Sequence, residues 1–117
     1  MQDILIVDDQ PYMQELFASE LTGSNYTIIS AENINKAQAY LDTFKIDLVI
    51  LDLYINGFQS WELLEKIKNI YPDLPVLIVT AYDSFMDDPR AVKADAYLVK
   101  NLQNINLIDQ QVRDLLN

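Results

Sequence analysis

The chain has 117 residues, half of them apolar, which suits one domain with a real core. Its 18 acidic residues against 8 basic ones leave a net charge of -10, which speaks against direct binding to phosphate backbones, an affinity that comes from Lys and Arg. It holds no histidine and no cysteine, which excludes Ser-His-Asp and Cys-His catalysis, disulfides, and zinc held by imidazole or thiolate.

No run of about 18 apolar residues is present, so no membrane-spanning helix is expected. The opening Met1-Gln2-Asp3-Ile4 lacks the basic and long apolar regions of a secretory signal. We therefore expect a cytoplasmic protein.

Ile4-Leu5-Ile6-Val7 reads as a first strand and ends at Asp8-Asp9. Pro11 suits the first turn of a helix, where its missing N–H costs nothing. Met13, Leu16, Phe17 and Leu21 give that helix an apolar stripe, and Gly23 is its expected stop. Tyr26-Thr27-Ile28-Ile29-Ser30 has the mixed polarity of an edge strand. Ile34, Ala37, Leu41 and Phe44 then mark a second amphipathic helix.

The central stretch is Leu48-Val49-Ile50-Leu51, which runs straight into Asp52 and is followed by Leu53-Tyr54-Ile55-Asn56-Gly57. A short continuous apolar run fits a strand buried on both faces, as in a parallel sheet. Asp52 then lies at the strand's carboxyl end, the edge where open α/β sheets bind ligands. Trp61, Leu63, Leu64, Ile67 and Ile70 mark a third helix, closed by Tyr71-Pro72.

Val76-Leu77-Ile78-Val79 is a fourth apolar run and ends at Thr80. Between Ser84 and Lys93 only a short or irregular fourth helix is expected. Pro89 biases Asp88 away from helical geometry, and the apolar stripe of Phe85, Met86, Ala91 and Val92 is thin. Ala96-Tyr97-Leu98-Val99 makes a fifth strand ending at Lys100. Ile105, Ile108, Val112 and Leu115 form the last helix. Five strands alternating with five helices imply right-handed βαβ units around a parallel sheet. The chain ends just after the last helix, so it is either a single-domain protein over residues 1–117 or a domain of a longer one.

Four of the five strands thus end on Asp8-Asp9, Asp52, Thr80 and Lys100, all along one sheet edge. Taken singly, each has an ordinary explanation: Asp8-Asp9 would cap the helix begun at Pro11, Asp52 would be a loop carboxylate, Thr80 carries no signal, and Lys100 would pair with a surface acid. Jointly they point to chemistry. Three crowded carboxylates repel unless a cation joins them, and hard oxygen ligands without His or Cys favour Mg²⁺. Asp52 reads as a nucleophile that accepts phosphate.

With these residues in view, the chain resembles the receiver domain of two-component response regulators over essentially its whole length. The matching pieces are Ile4 to Asp9, Leu48 to Leu53, Leu77 to Ala81, Ala94 to Lys100, and Trp61-Glu62-Leu63-Leu64. The resemblance implies a flavodoxin-like α/β fold with sheet order 2-1-3-4-5 flanked by five helices. It implies that Asp52 takes a phosphoryl group from a phosphohistidine on a sensor histidine kinase or phosphotransfer protein. Asp9, Asp52 and the backbone carbonyl of Tyr54 would ligate Mg²⁺, with Mn²⁺ expected to substitute, and Asp8 would act through metal-bound water. Lys100 would pair with phosphoryl oxygens. Thr80 would hydrogen-bond the phosphoryl group and draw its loop inward, and Tyr97 would turn from exposed to buried. The surface around the fourth helix, fifth strand and fifth helix would then control a downstream partner or effector domain, without direct contact to nucleic acid or membrane. A homodimer formed on phosphorylation is a further outcome the resemblance allows.

Four positions depart from the family's pattern. Asn56 stands where the family usually has proline. Ser60 replaces a glycine and is placed to cap the third helix. Lys93 or its neighbours replace the glycine before the fifth strand. Asn101 replaces the proline whose bond to the lysine is typically cis. A non-proline cis bond costs about 2.5–4 kcal/mol, so Lys100–Asn101 is expected to be trans, with a shifted fifth loop. Tyr54 and Tyr82 stand two residues beyond Asp52 and Thr80, where the family tunes the removal of the phosphoryl group by water. Two aromatic rings there either obstruct the attacking water, giving a long-lived phosphorylated state, or merely cover nearby loops.

The leading reading is a signalling switch that catalyses its own phosphorylation and dephosphorylation but is not a metabolic enzyme. An interaction module that no longer accepts phosphate is the alternative, opposed by the full set of acids, hydroxyl and lysine. A flavin carrier on the same fold would need a Ser/Thr/Gly-rich loop where Asp8-Asp9 stands. A P-loop enzyme is excluded because Gly-x-x-x-x-Gly-Lys-Ser/Thr is absent.

Overall fold

The computed structural model describes residues 1–21, 25–82, 84–101 and 103–116. In chain order it has β1 (Gln2–Val7), α1 (Pro11–Glu20), β2 (Tyr26–Ala31), α2 (Ile34–Thr43), β3 (Leu48–Leu51), a hairpin of β4 (Tyr54–Ile55) and β5 (Phe58–Gln59), α3 (Trp61–Ile70), β6 (Val76–Thr80), β7 (Ala96–Val99) and α4 (Ile108–Leu116). The main sheet is all parallel with order β2-β1-β3-β6-β7. With the hairpin strands left out, this is the expected 2-1-3-4-5 arrangement.

Side chains alternate across each strand of the main sheet, so its strands feed two apolar layers. Leu5, Val7, Val49, Leu51, Val76 and Ile78 pack on the layer formed with α2 and α3, through Ala37, Leu41, Leu63, Leu64 and Ile67. Ile4, Ile6, Leu48, Ile50, Leu77 and Val79 pack on the opposite layer with α1 and α4, through Met13, Phe17, Ile108 and Val112. Covering both faces is what makes the inner strands read as unbroken apolar runs. The mixed strand β2 lies at one edge and β7 at the other.

Several expectations need correction. There are four α-helices among the described residues, not five. The fourth is replaced by two 3₁₀ turns, Ser84–Asp87 and Pro89–Lys93, with Asp88 extended at φ -69°, ψ 131° ahead of Pro89. That segment is tied down by Arg90, which lies 4.6 Å over the ring of Trp61. The last helix begins at Ile108, and Ile105 sits in a preceding 3₁₀ turn. Phe44 and Ile70, placed in the apolar stripes of the second and third helices, are exposed: Phe44 is the C-cap residue of α2 and Ile70 the last residue of α3. Helix α1 ends at Glu20 with Leu21 as its C-cap; Gly23, the expected stop, and the side chain of Phe85 lie outside those described.

Candidate functional site

Parallel pairing sets the site. Val7 lies opposite Leu51, Leu51 opposite Ile78, and Thr80 opposite Val99. The ladder runs one residue past the strands, with Asp8 N–H donating to Ala31 O at 3.1 Å, Asp52 N–H to Val7 O at 3.0 Å, and Lys100 N–H to Thr80 O at 2.6 Å. All the residues read from the strand ends therefore emerge on one edge. Carboxylate oxygens of Asp8, Asp9 and Asp52 lie within 4.8 Å of one another.

Lys100 binds this cluster together. Its Nζ is 2.7 Å from Asp8 Oδ2 and 3.0 Å from Asp52 Oδ2, and it donates to Gln10 Oε1 at 3.4 Å. The other carboxylate oxygens are aimed by main-chain donors. Asp8 Oδ1 accepts from Gln10 N–H at 2.9 Å and Asp52 Oδ1 from Tyr54 N–H at 3.2 Å. Asp9 Oδ2 accepts from Asn56 N–H at 2.8 Å. Gln14, in the first turns of α1, donates its side-chain amide to Asp8 O at 2.6 Å. Asp8 does not cap α1: the N-cap position is Gln10, which makes no side-chain cap hydrogen bond.

Asp8 and Asp52 are buried, at 1% and 6% exposure, and Thr80 at 0%. Burial pushes the Asp52 carboxyl above the ordinary aspartate range. The Lys100 ammonium and the Tyr54 N–H oppose that rise without cancelling it, and Asp8 adds to it. Burial works against the charge of Lys100 as well, but the Asp8 and Asp52 carboxylates outweigh it and hold the amine above its usual value. The hydroxyl of Thr80 is buried without a hydrogen-bond partner among the described residues. A buried polar group of this kind is costly unless something arrives to satisfy it.

Thr80 lines, with Asp9, Gln10, Asp52, Tyr54, Tyr82 and Lys100, a cavity of about 200 Å³ open to solvent. Tyr54 and Tyr82 meet edge to face across its rim, 5.2 Å between ring centroids. Tyr97 is half-buried, and its hydroxyl donates to Tyr82 O at 2.7 Å. The oxygen donors match what a hard divalent cation takes, and the orphaned Thr80 hydroxyl matches an acceptor such as a phosphoryl oxygen.

The departures from the family pattern shape the loops around the site. No cis peptide bond occurs among the described residues, so Lys100–Asn101 is trans as expected. Asn101 instead turns the chain, its Oδ1 accepting from Gln103 N–H at 2.9 Å and Asn104 N–H at 2.8 Å. Ser60 occupies the N-cap position of α3 but makes no cap hydrogen bond, contrary to expectation. Its hydroxyl donates to Asp52 O at 2.6 Å. The β4–β5 hairpin was not foreseen, although Asn56-Gly57 is a strong hairpin signal. Gln10, Gln14 and the turn at Asn56 were missed as supports of the site.

The fold is doubly wound α/β, and its acidic, lysine-bridged pocket lies at the carboxyl edge of the sheet, the edge where folds of this class bind ligands. The profile of the response regulator receiver domain matches residues 4–111, and the chain belongs to that family. It is 32% identical over 94 residues to the transcriptional regulatory protein GlrR of Escherichia coli strain K12, covering 80% of this chain and 21% of that protein. It is 32% identical over 102 residues to the heme response regulator HssR of Staphylococcus haemolyticus, covering 86% and 45%. The chain thus spans less than half of the length of these curated relatives. Among solved structures it is similar to the response regulator TrrA of Thermotoga maritima in complex with Mg²⁺-BeF, with 34% identity, a TM-score of 0.91, and coverage of 99% of this chain and 100% of that one. A complex of TrrA with the histidine kinase ThkA also matches, with a TM-score of 0.89 at 34% identity and full coverage of both chains. No helix among the described residues is long and apolar enough to cross a membrane.

Proposed function

We propose that residues 1–117 act as one phosphoacceptor receiver domain, in which Asp52 takes a phosphoryl group from a phosphohistidine on a partner kinase or phosphotransfer protein. A new Asp52 Oδ–P bond forms as the N–P bond of the donor breaks. The observation that carries this reading is the Lys100 ammonium bridging Asp8 and Asp52, beside a third carboxylate and an unpartnered Thr80 hydroxyl. Phosphoryl transfer asks for positioning and charge neutralisation above all. Lys100 supplies one positive charge from the protein. Asp9, Asp52 and the Tyr54 carbonyl would hold Mg²⁺ or Mn²⁺, with Asp8 acting through bound water, and the cation would neutralise charge on the transferring group.

Thr80 then donates to a phosphoryl oxygen, and its loop moves toward Asp52. Tyr82 lies two residues further on, and Tyr97 is bonded to its carbonyl. Displacement of Tyr82 changes what holds Tyr97, so the added charge biases the face formed by the 3₁₀ segment 84–93, β7 and α4. A downstream effector domain or protein reads that face, and a phosphorylation-dependent homodimer is one form the readout takes. The relatives' names, among them a transcriptional regulator, support effector control. The domain's net charge of -10 opposes direct nucleic-acid contact, and a cytoplasmic setting fits a kinase partner.

The test is incubation with a small phosphodonor and Mg²⁺, read by intact mass. Wild type should gain one phosphoryl group, lost when the cation is chelated, and Asp52→Ala should gain none. Equal labelling of the two proteins would sink the assignment.

A further inference from the structure

The carboxylates of Asp8, Asp9 and Asp52 lie close enough together to hold a cation, but they are not held alike. Asp8 and Asp52 each take a main-chain N–H and the Lys100 ammonium. Asp9 is half-exposed, and among the described residues its carboxylate takes one hydrogen bond, from Asn56 N–H at 2.8 Å. That donor comes from the tip of the β4–β5 hairpin, 47 residues further along the chain.

The tip has a specific geometry. Tyr54 pairs with Gln59 and Ile55 with Phe58, leaving a two-residue turn. Asn56 has φ 53° and Gly57 φ 83°. Positive φ at both central residues is the type I′ turn, which Asn-Gly adopts most readily. Ser60 fixes the base of the hairpin through its N–H to Leu53 O at 2.8 Å and its hydroxyl to Asp52 O at 2.6 Å. Gln59 ties the sides together by donating to the Tyr54 hydroxyl at 3.0 Å. The Asn56 N–H is thus placed by a braced hairpin.

We propose that the Asn56–Gly57 turn is a positioning element of the cation site, its Asn56 N–H presetting Asp9 for the ion. This rests on the reading of Asp9 as a cation ligand. A half-exposed aspartate otherwise samples several rotamers, and binding must freeze one of them. A donor already bonded to one carboxylate oxygen orients the group. Partners of this kind around metal ligands typically change affinity by about 10–100-fold when removed. A proline at position 56 would lack the N–H and hold φ near -65°, so it would abolish both the donor and the turn.

The experiment is Mg²⁺ titration of the full chain by calorimetry, with amide resonances followed in parallel. Asn56→Pro should bind Mg²⁺ about tenfold or more weakly, and Asn56→Gly, which keeps the N–H and the positive φ, should bind as wild type does. In wild type the Asn56 amide resonance should move on Mg²⁺ addition and should already be displaced in apo Asp9→Asn. Should Asn56→Pro fail to fold, Gly57→Val carries the test: a Cβ at 57 meets nothing within 4 Å, and a β-branched residue strains the turn at φ 83°. Weakened binding by folded Gly57→Val supports the proposal. Wild type that binds Mg²⁺ no better than either folded variant overturns the proposal alone. Wild type that binds no Mg²⁺ overturns the cation reading of Asp9 and the proposal with it.

Discussion

The hydroxyl of Ser60 donates to the main-chain carbonyl of Asp52 at 2.6 Å, and Ser60 is itself buried. Asp52 is therefore anchored from behind as well as from the front, where Lys100 and Tyr54 reach its carboxylate. Ser60→Ala would leave that carbonyl without its donor at a buried position. A loss of about 1–3 kcal/mol of stability is expected, read as a lower urea midpoint with an unchanged slope. A midpoint equal to wild type would mean the carbonyl finds another donor.

Lys100 neutralises two buried acids at once, so its removal should be severe. Lys100→Met leaves Asp8 and Asp52 side by side with no counter-charge. Breaking a buried ion pair from one side costs about 3–5 kcal/mol. The loss should appear at neutral pH and shrink as acidification protonates Asp52. Urea unfolding of both proteins at neutral and mildly acidic pH checks it. A deficit that stays constant with pH would show that Lys100 acts through packing alone.

Asp52 titrates against the fold. Burial raises its pKa in the native state above the ordinary 3.8, so the native state binds more protons than the unfolded state between those two values. Stability from this group is therefore highest in acid and falls as pH rises through the raised value. Asp52→Asn keeps the shape without the charge. It should melt higher than wild type at neutral pH, and the two curves should converge as pH is lowered. Lys100 contributes the other way round: its stabilisation is present below its ordinary 10.5 and is lost as pH rises through its raised native value.

Tyr54 and Tyr82 line the rim of the pocket in edge-to-face contact. If the rings screen the phosphoryl group from in-line water, Tyr54→Ala and Tyr82→Ala should each shorten the life of the phosphorylated form. A tenfold change corresponds to about 1.4 kcal/mol in the barrier. Mass-resolved decay of the labelled protein measures it. Unchanged decay in both variants would leave the rings as loop covers only.

What the sequence by itself determined was the sheet, its two buried faces and the set of groups at its carboxyl edge. Apolar runs such as Leu48 to Leu51 are readable because strand burial is a local, repeating pattern. Parallel order then sends Asp8, Asp52, Thr80 and Lys100 to one edge whatever the loops do. Local rules also foretold the trans bond at Asn101 and the broken helix before Pro89. Tertiary structure alone decided which groups touch. Lys100 reaches Asp52 across 48 residues and Asn56 reaches Asp9 across 47. Ser60 abandons its cap for the Asp52 carbonyl because that acceptor lies in the same buried corner. Such contacts depend on the relative placement of packed elements, which no periodicity along the chain encodes.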